Sequence, residues 1–466
     1  TEKVCMIIKT IAKKIPETIS DKKFIKKAVG IAIPVALQNL LMTFTNLVDT
    51  VMIGGLGASS IAAVGLANKF FFVFSLLIFG ICSGASVLAA QFYGNDDHTG
   101  VRKITGLCFI LSVCASILFF IPALLAPQSI MRIFTNSIEA VVIGSGYLSI
   151  ACFTYIFFGV NSVMIQMMRA TGRVKAPVYT SFVAVSVNVV LNYTLILGHF
   201  GAPALGVKGA AIATLIARVV EFTALVCLTF REGSLFRGKI SDFTGWSESF
   251  IHKTMMTALP VICNEFMWGL GTTLYSVAYG RMGDNAVASM TVAQTVIDMI
   301  QVLWIGLSAA TSVILGNTLG AGKLDEAEDY AYKFCISSVI LSFAAMALLF
   351  FTKNGIISIF NAAPDVAGNT AMIINMFILV FVPKMLNFII VVGILRAGGD
   401  TTMCLFIDTS GVWFIGAPLA FLGALVWHTP IHVLFLLVSL EEFYKLVLGL
   451  WRVSKKKWLR NIAIEV

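Results

Sequence analysis

The sequence predicts an all-α membrane protein with twelve transmembrane helices in two six-helix bundles, related by a pseudo-twofold axis along the membrane normal. Three observations lead there. Hydrophobic residues make up 58% of the chain and charged ones 12%, with a mean hydropathy of +0.91; a soluble chain of this size carries roughly 25% charged residues. Apolar runs of about 20 residues, the length of one bilayer crossing, recur from end to end. The third observation is a duplication. Ala32–Ala67 (AIPVALQNLLMTFTNLVDTVMIGGLGASSIAAVGLA) returns 226 positions later as Ala258–Ala293 (ALPVICNEFMWGLGTTLYSVAYGRMGDNAVASMTVA), with Pro34 on Pro260, Gly54 on Gly280, Gly57 on Gly283, Ala62 on Ala288 and Ala67 on Ala293. The same offset carries Ser86 to Ser312, Val87 to Val313 and Gly94 to Gly320, and a shift of 227 lays Arg169–Gly172 over Arg396–Gly399. Such a register marks two copies of one membrane unit.

In chain order the spans are expected near 28–53, 59–91, 103–126, 138–168, 176–198, 205–230, 250–280, 285–317, 330–352, 366–395, 402–427 and 430–452. They are helices because a backbone in lipid must satisfy its own hydrogen bonds, and the runs are too long for barrel strands. The domain division follows: a basic N-terminal tail (1–27), an N-lobe (28–230), a cytoplasmic linker (231–249), a C-lobe (250–452) and a basic C-terminal tail (453–466). The tail 1–27 lacks the apolar core of a signal peptide, and its Ile/Lys alternation suits a helix lying on the membrane surface.

Loop charge sets the topology. One side of the membrane receives only Arg132, Lys208, Arg281 and Lys353 of the 33 Lys and Arg. The other side holds both tails and most remaining basic residues, so both termini are expected in the cytoplasm, at the plasma (inner) membrane. The net charge of +9 thus reads as a topology signal and an attraction to anionic membrane lipids. It does not suggest nucleic-acid binding, since the basic residues are split among short loops. Six spans per copy give the two bundles the same orientation, leaving a cleft that rocking would open to either face. A monomer suffices for that design. The nine cysteines lie singly in apolar runs with no metal or disulfide spacing.

Several strings also resemble a known family. Asn46-Leu-Val-Asp-Thr50, Met52-Ile-Gly-Gly-Leu-Gly57, Ala62–Ala67, Gly206–Thr214, Leu395–Thr401 and Asn264-Glu265 following Pro260 resemble the multidrug and toxic compound extrusion (MATE) family, in the family's order over roughly 28–455. The resemblance implies a twelve-helix, two-lobed antiporter that exports small organic, often cationic, compounds in exchange for Na+ or H+, with no cofactor.

Buried charge marks the candidate sites, because an ionisable group at the bilayer centre costs at least about 2.5–3.5 kcal/mol. Asp49 in span 1 can hold Na+ with neutral oxygen ligands, or a proton. Asn188 and Asn192 are four apart and share one face of span 5, and Thr214 in span 6 adds a hydroxyl. The resemblance places an ion site on these four positions, although some members carry an aspartate where this chain has Asn192. In the C-lobe, Glu265 follows Pro260 by five residues, a setting for a hinge or an ion site. It reads as a proton site, a substrate counter-ion or a partner of Lys384, and Asn387, three residues beyond Lys384, is the second candidate with Glu265 for a C-lobe ion-coupling or substrate site. Arg218 with Glu221, and Glu441 with Lys445, have the spacing of structural pairs. Gln38, Asn39, Asn68, Gln294, Asp298, Lys384 and Asp408 are candidate cavity residues; Asp298, Asp408 and Lys69 have no sequence-local partner.

Enzyme chemistry finds no support. There is no HExxH, the glycines of Gly316–Lys323 have the wrong spacing for a phosphate loop, and no Ser/His/Asp grouping has a motif around it. The competing transport class is a lipid-linked oligosaccharide or lipid flippase of similar two-lobed plan, for which fourteen spans and a more cationic cavity are expected.

Overall fold

The computed structural model describes residues 14–229, 235–360 and 362–464. Among them the regular structure is helical, and twelve long elements follow the predicted order. In the N-terminal copy these are α1 (Lys22–Gly54), α2 (Ala58–Gly94), α3 (His98–Leu125), α4 (Ile138–Ala151 and Phe153–Ala170, bent by 47°), α5 (Lys175–Leu197) and α6 (Val207–Thr229). In the C-terminal copy they are α7 (Glu248–Gly280), α8 (Asp284–Gly320), α9 (Leu324–Ile359), α10 (Pro364–Leu395), α11 (Thr401–Val426) and α12 (Ile431–Ser454). Nine are apolar and long enough to cross a membrane as single helices, and the bent pair makes a tenth. The other two, α7 and α12, are the spans whose hydropathy is lowered by charge: Glu265 in one, Glu441, Glu442, Lys445 and Arg452 in the other. Several helices outrun the apolar windows. α1 starts at Lys22 and α9 at Leu324, because lysine and glutamate continue a helix readily once it leaves the membrane.

Helix ends are set locally. Gly57 and Gly283, mates in the duplication, precede α2 and α8 with φ of 107° and 101°, backbone that a side chain would strain. Asp97 and Ser137 cap α3 and α4 by accepting from the amides of Gly100 (2.8 Å) and Ala140 (3.3 Å). Gly198 closes α5 in a left-handed conformation.

The chain forms two compact units, one of residues up to Ala36 and from Cys263 onward, the other Leu37–Ile262. The boundaries differ from the 28–230 and 250–452 expected for the lobes, and glycine packing supplies the reason. In the second unit a Cβ at Gly80 would lie 2.7 Å from Ile262 Cα, so the first half of α7 lies directly against α2. In the first, a Cβ at Gly306 would lie 2.3 Å from the Ala32 carbonyl oxygen, so the first half of α1 lies against α8. Gly80 and Gly306 are 226 apart, as are Ala36 and Ile262.

Helix pairing is the same in both units. α2 packs on α3 and α4, α3 on α4, α4 on α6 and α5 on α6; in the other unit α8 packs on α9 and α10, α9 on α10, α10 on α12 and α11 on α12. The first core centres on Trp304, Phe377 and Phe381, where Trp304 Nε1 donates to Ser338 Oγ at 3.1 Å. The second centres on Phe74 and Tyr155, stacked at 4.9 Å.

The N-terminal tail falls partly outside the described residues. From residue 14 to 20 it is helical. Lys14 bonds to Asp329, and Lys333 reaches both Asp21 and Asp329 at 2.7 Å. The Lys333 hydrogen bond holds the Asp21 carboxyl below its ordinary range.

Candidate functional site

Four residues singled out by sequence come together in the unit Leu37–Ile262. Asn192, fully buried on α5, donates its amide to Asp49 of α1 and to Asn188 Oδ1 one turn away (3.0 Å). Asn188 donates to Thr214 Oγ1 of α6 at 3.4 Å. The i,i+4 spacing on α5 does the positioning, because it points two amides at the seam between α1 and α6. Asp49 is half-buried and is reached there by a neutral donor, the Asn192 amide.

The second half of the site is an acceptor. Asn192 Oδ1 is buried and, among the described residues, has no hydrogen-bond partner. A carboxylate beside an unpartnered carbonyl oxygen and a hydroxyl is a donor set suited to Na+, and the carboxylate alone can take a proton. Among the described residues no group of three or more His, Cys, Asp or Glu gathers.

Below this site α6 carries a second network. Glu221, fully buried, accepts from Ser181 Oγ (2.9 Å) on one oxygen, and from Arg218 (2.9 Å) and Asn161 Nδ2 (3.2 Å) on the other. Ser181 in turn accepts from Gln38 Nε2 at 2.8 Å, and Gln38 Oε1 accepts from Arg169 at 2.5 Å. The Arg218–Glu221 pair is the one the spacing predicts. Gln38 is buried inside this unit's network, Asn39 is half-buried, and Asn68 and Lys69 are exposed.

In the other unit Glu265 departs from expectation. Its carboxylate accepts from Arg396 at 2.8 Å, both side chains being deeply buried. Lys384 instead pairs with Glu442 at 3.5 Å. Asn387, expected beside Glu265, donates to the Glu442 carboxylate and main-chain carbonyl, both at 2.8 Å. The physical reason is helical register: Lys384 and Asn387, three apart on α10, share the face that meets α12. Asp408 accepts from Asn264 at 3.0 Å. Asp298 has a local partner after all, Gln294 one turn earlier at 2.6 Å; both are exposed. Glu441 bonds to Lys445 (3.1 Å), as its spacing predicts, and to the Tyr275 hydroxyl (2.5 Å). Gly416 makes room for that contact, since a Cβ there would lie 2.0 Å from the hydroxyl. It ends a π-helical stretch, Val412–Gly416.

Sequence reasoning missed Arg396 as the partner of Glu265, and Asn161 and Ser181 as partners of Glu221. The duplication held the signal. Arg169 to Gln38 and Arg396 to Glu265 are both separated by 131 positions, and Ser181 and Asp408, 227 apart, accept from Gln38 and Asn264, mates 226 apart on α1 and α7.

Twelve spanning helices in two copies, with carboxylates held inside each, define a polytopic membrane transporter. The MatE family pattern matches residues 34–194 and 260–422, once in each copy. The chain belongs to that family, the multidrug and toxic compound extrusion transporters. It is 22% identical to the uncharacterized transporter YisQ of Bacillus subtilis, over 92% of this chain and 94% of that one. It is 24% identical to the probable multidrug resistance protein NorM of Thermotoga maritima, over 85% of each. Among solved structures, a MATE protein in complex with MaL6 superposes with a TM-score of 0.85 at 20% identity, covering 93% of this chain and 96% of that one. An outward-facing multidrug resistance MATE transporter of the MOP superfamily gives 0.83 at 20% identity, covering 93% and 95%. These likenesses establish the twelve-helix, two-lobed fold.

Proposed function

We propose that the chain is an antiporter that exports small organic, cationic compounds across the plasma membrane in exchange for Na+ or H+ taken up at Asp49. It acts as a monomer with both termini in the cytoplasm. One observation supports Asp49 above Glu265, Glu221, Glu441 and Glu442: its hydrogen-bond partner is a neutral amide, whereas those four are each paired with Arg or Lys. Asp408 and Asp298 also meet neutral amides, but the amide beside Asp49 also carries a buried carbonyl oxygen with no partner among the described residues. A carboxylate already neutralised by an internal cation has little left to offer an incoming one. Asp49 keeps its charge available, with Asn192 beside it and Thr214 linked through Asn188.

The exchange then follows from linkage. An ion arriving from outside neutralises Asp49 and removes the cost of burying its charge, which shifts the preferred packing of α1 against α5 and α6. The conformation favoured by the neutral site holds a cationic substrate less tightly, and substrate leaves. No observation favours the flippase reading over this one.

The test is dye efflux in proteoliposomes, with Na+ and pH gradients imposed separately. Asp49→Asn is expected to abolish ion-driven efflux, while Glu265→Gln retains it. Full coupling in Asp49→Asn would overturn the assignment, and loss in Glu265→Gln alone would move the site to the C-lobe.

A further inference from the structure

Where α3 passes into α4, exposed apolar side chains crowd around a single cation, Arg132. The short helix Pro127–Phe134 makes the connection, with Pro127 in its first turn. It is pinned from beneath: Met131 is fully buried, and a Cβ at Gly144 of α4 would lie 2.2 Å from its Cε. Thr135 Oγ1 accepts from the Ser137 amide at 3.1 Å, and Ser137 caps α4. Between the short helix and the first turns of α4 lies a cavity of about 350 Å³, within the ~300–1,000 Å³ range of small-molecule sites. Its lining has a polar half, Gln128, Arg132, Thr135 and Asn136, and an apolar half that includes Ile138 and Val142.

Gln128 and Arg132 are four apart, so they share one face of the short helix. Among the described residues none of the Gln128, Arg132 and Asn136 side chains has a hydrogen-bond or ion-pair partner. The one acid between 124 and 150, Glu139, is exposed and does not line the cavity. Lys208 of α6 adds positive charge one turn along α4 from Val142, its Cε 3.2 Å from where a Cβ at Gly146 would stand. The rim is apolar: Leu125 and Ile133 are each 78% exposed, Ile138 82% and Val142 61%. A patch of that kind on a spanning bundle meets acyl chains, and a guanidinium at its edge sits at the level of lipid phosphates.

We infer that this cavity binds the headgroup of an anionic, amine-free phospholipid of the phosphatidylglycerol kind. Arg132 takes the phosphate through paired N–H groups, while the Gln128 and Asn136 amides and the Thr135 hydroxyl meet ester and glycerol oxygens. The first methylenes of one chain follow Ile138 and Val142 along α4. The lining also selects the headgroup. A choline or ethanolamine head would set an ammonium beside Arg132, with no carboxylate among the lining residues to receive it. A soluble phosphate would leave the apolar half against water. The site is separate from the exchange at Asp49 and does not rest on it.

Native mass spectrometry of the full chain, released from detergent micelles, reads the binding. Phosphatidylglycerol and phosphatidylcholine of equal chain length are added in turn. The parent is expected to keep one phosphatidylglycerol at concentrations where phosphatidylcholine is lost. Arg132→Gln removes the partner of the phosphate and is expected to weaken that binding by about tenfold or more, the effect of losing charge-assisted hydrogen bonds. Val142→Ser keeps the cation but thins the apolar wall, and is expected to weaken it by about fourfold, the worth of one methylene. Arg281→Gln, which removes a cation expected on the same side of the membrane but outside this cavity, should leave binding unchanged. Glycerol 3-phosphate, which lacks the chains, should not displace the lipid. Equal retention of phosphatidylcholine, no loss in Arg132→Gln or in Val142→Ser, or as large a loss in Arg281→Gln as in Arg132→Gln would overturn the inference. Displacement by glycerol 3-phosphate at equal concentration would overturn it as well, because the occupant would then be a soluble phosphate.

Discussion

Asn192 shows how much one amide decides. It fills the place beside Asp49 where a second carboxylate would double the negative charge, and its own carbonyl oxygen has no partner among the described residues. Asn192→Asp is expected to tighten Na+ binding by about tenfold or more, read as a lower half-saturating Na+ in driven efflux; weaker binding would show that the amide donor matters more than charge. The spacing of Asn188 and Asn192 made this group readable from sequence, since an i,i+4 pair on a spanning helix points at one neighbour. The pair Glu265–Arg396 was not readable that way, because its members lie 131 positions apart on helices with no local tie. Both are buried, so Arg396→Gln leaves an uncompensated carboxylate and is expected to cost about 3–5 kcal/mol, seen as lost thermal stability in detergent. Glu265→Gln added to it should restore most of that loss, and failure to do so would mean that Arg396 serves other partners first.

At the scale of helices, the closest approaches are made through glycine. Gly306 of α8 faces the Ala32 carbonyl and the Ala36 methyl of α1, at 2.3 and 2.9 Å from the position of an added Cβ. Backbone cannot retreat as a side-chain tip can, so Gly306→Ala forces the helices apart, at a cost of about 1–3 kcal/mol. Gly30, on the exposed face of α1, has nothing within 4 Å of its would-be Cβ. There alanine is expected to gain about 0.5–1 kcal/mol from helix propensity. Thermal melts of the two variants should move in opposite directions; equal shifts would contradict the packing of α1 on α8. Hydropathy alone finds the apolar helices but undercounts α7 and α12, whose acids and bases are the residues of interest. The duplication corrects the undercount because each has a mate in the other copy. It does not reveal that the first halves of α1 and α7 change units, since that depends on the depth of a glycine groove.

For the molecule as a whole, the decisive quantity is how many charges one cycle moves. Asp49, like Asp298 and Asp408, has no cation in hydrogen-bond contact among the described residues; as the acid of the proposed ion site, it is satisfied by one monovalent ion. Exchange of one such ion for one monovalent organic cation carries no net charge. Its efflux should ignore membrane potential and follow the chemical gradient of the ion alone. Exchange for a zwitterion carries one charge inward, and 100 mV then contributes about 2.3 kcal/mol, enough for roughly a fifty-fold accumulation ratio. Potassium diffusion potentials set with valinomycin in proteoliposomes separate the cases: ethidium efflux should stay flat across 100 mV, and efflux of a zwitterionic fluoroquinolone should rise. If ethidium efflux rises with voltage instead, a second ion must enter in each cycle. Glu265, already matched by Arg396, is a poor holder for it. Asp298, exposed on α8 and bonded only to the neutral Gln294, would be the acid to neutralise next, and Asp298→Asn would then return the exchange to voltage independence.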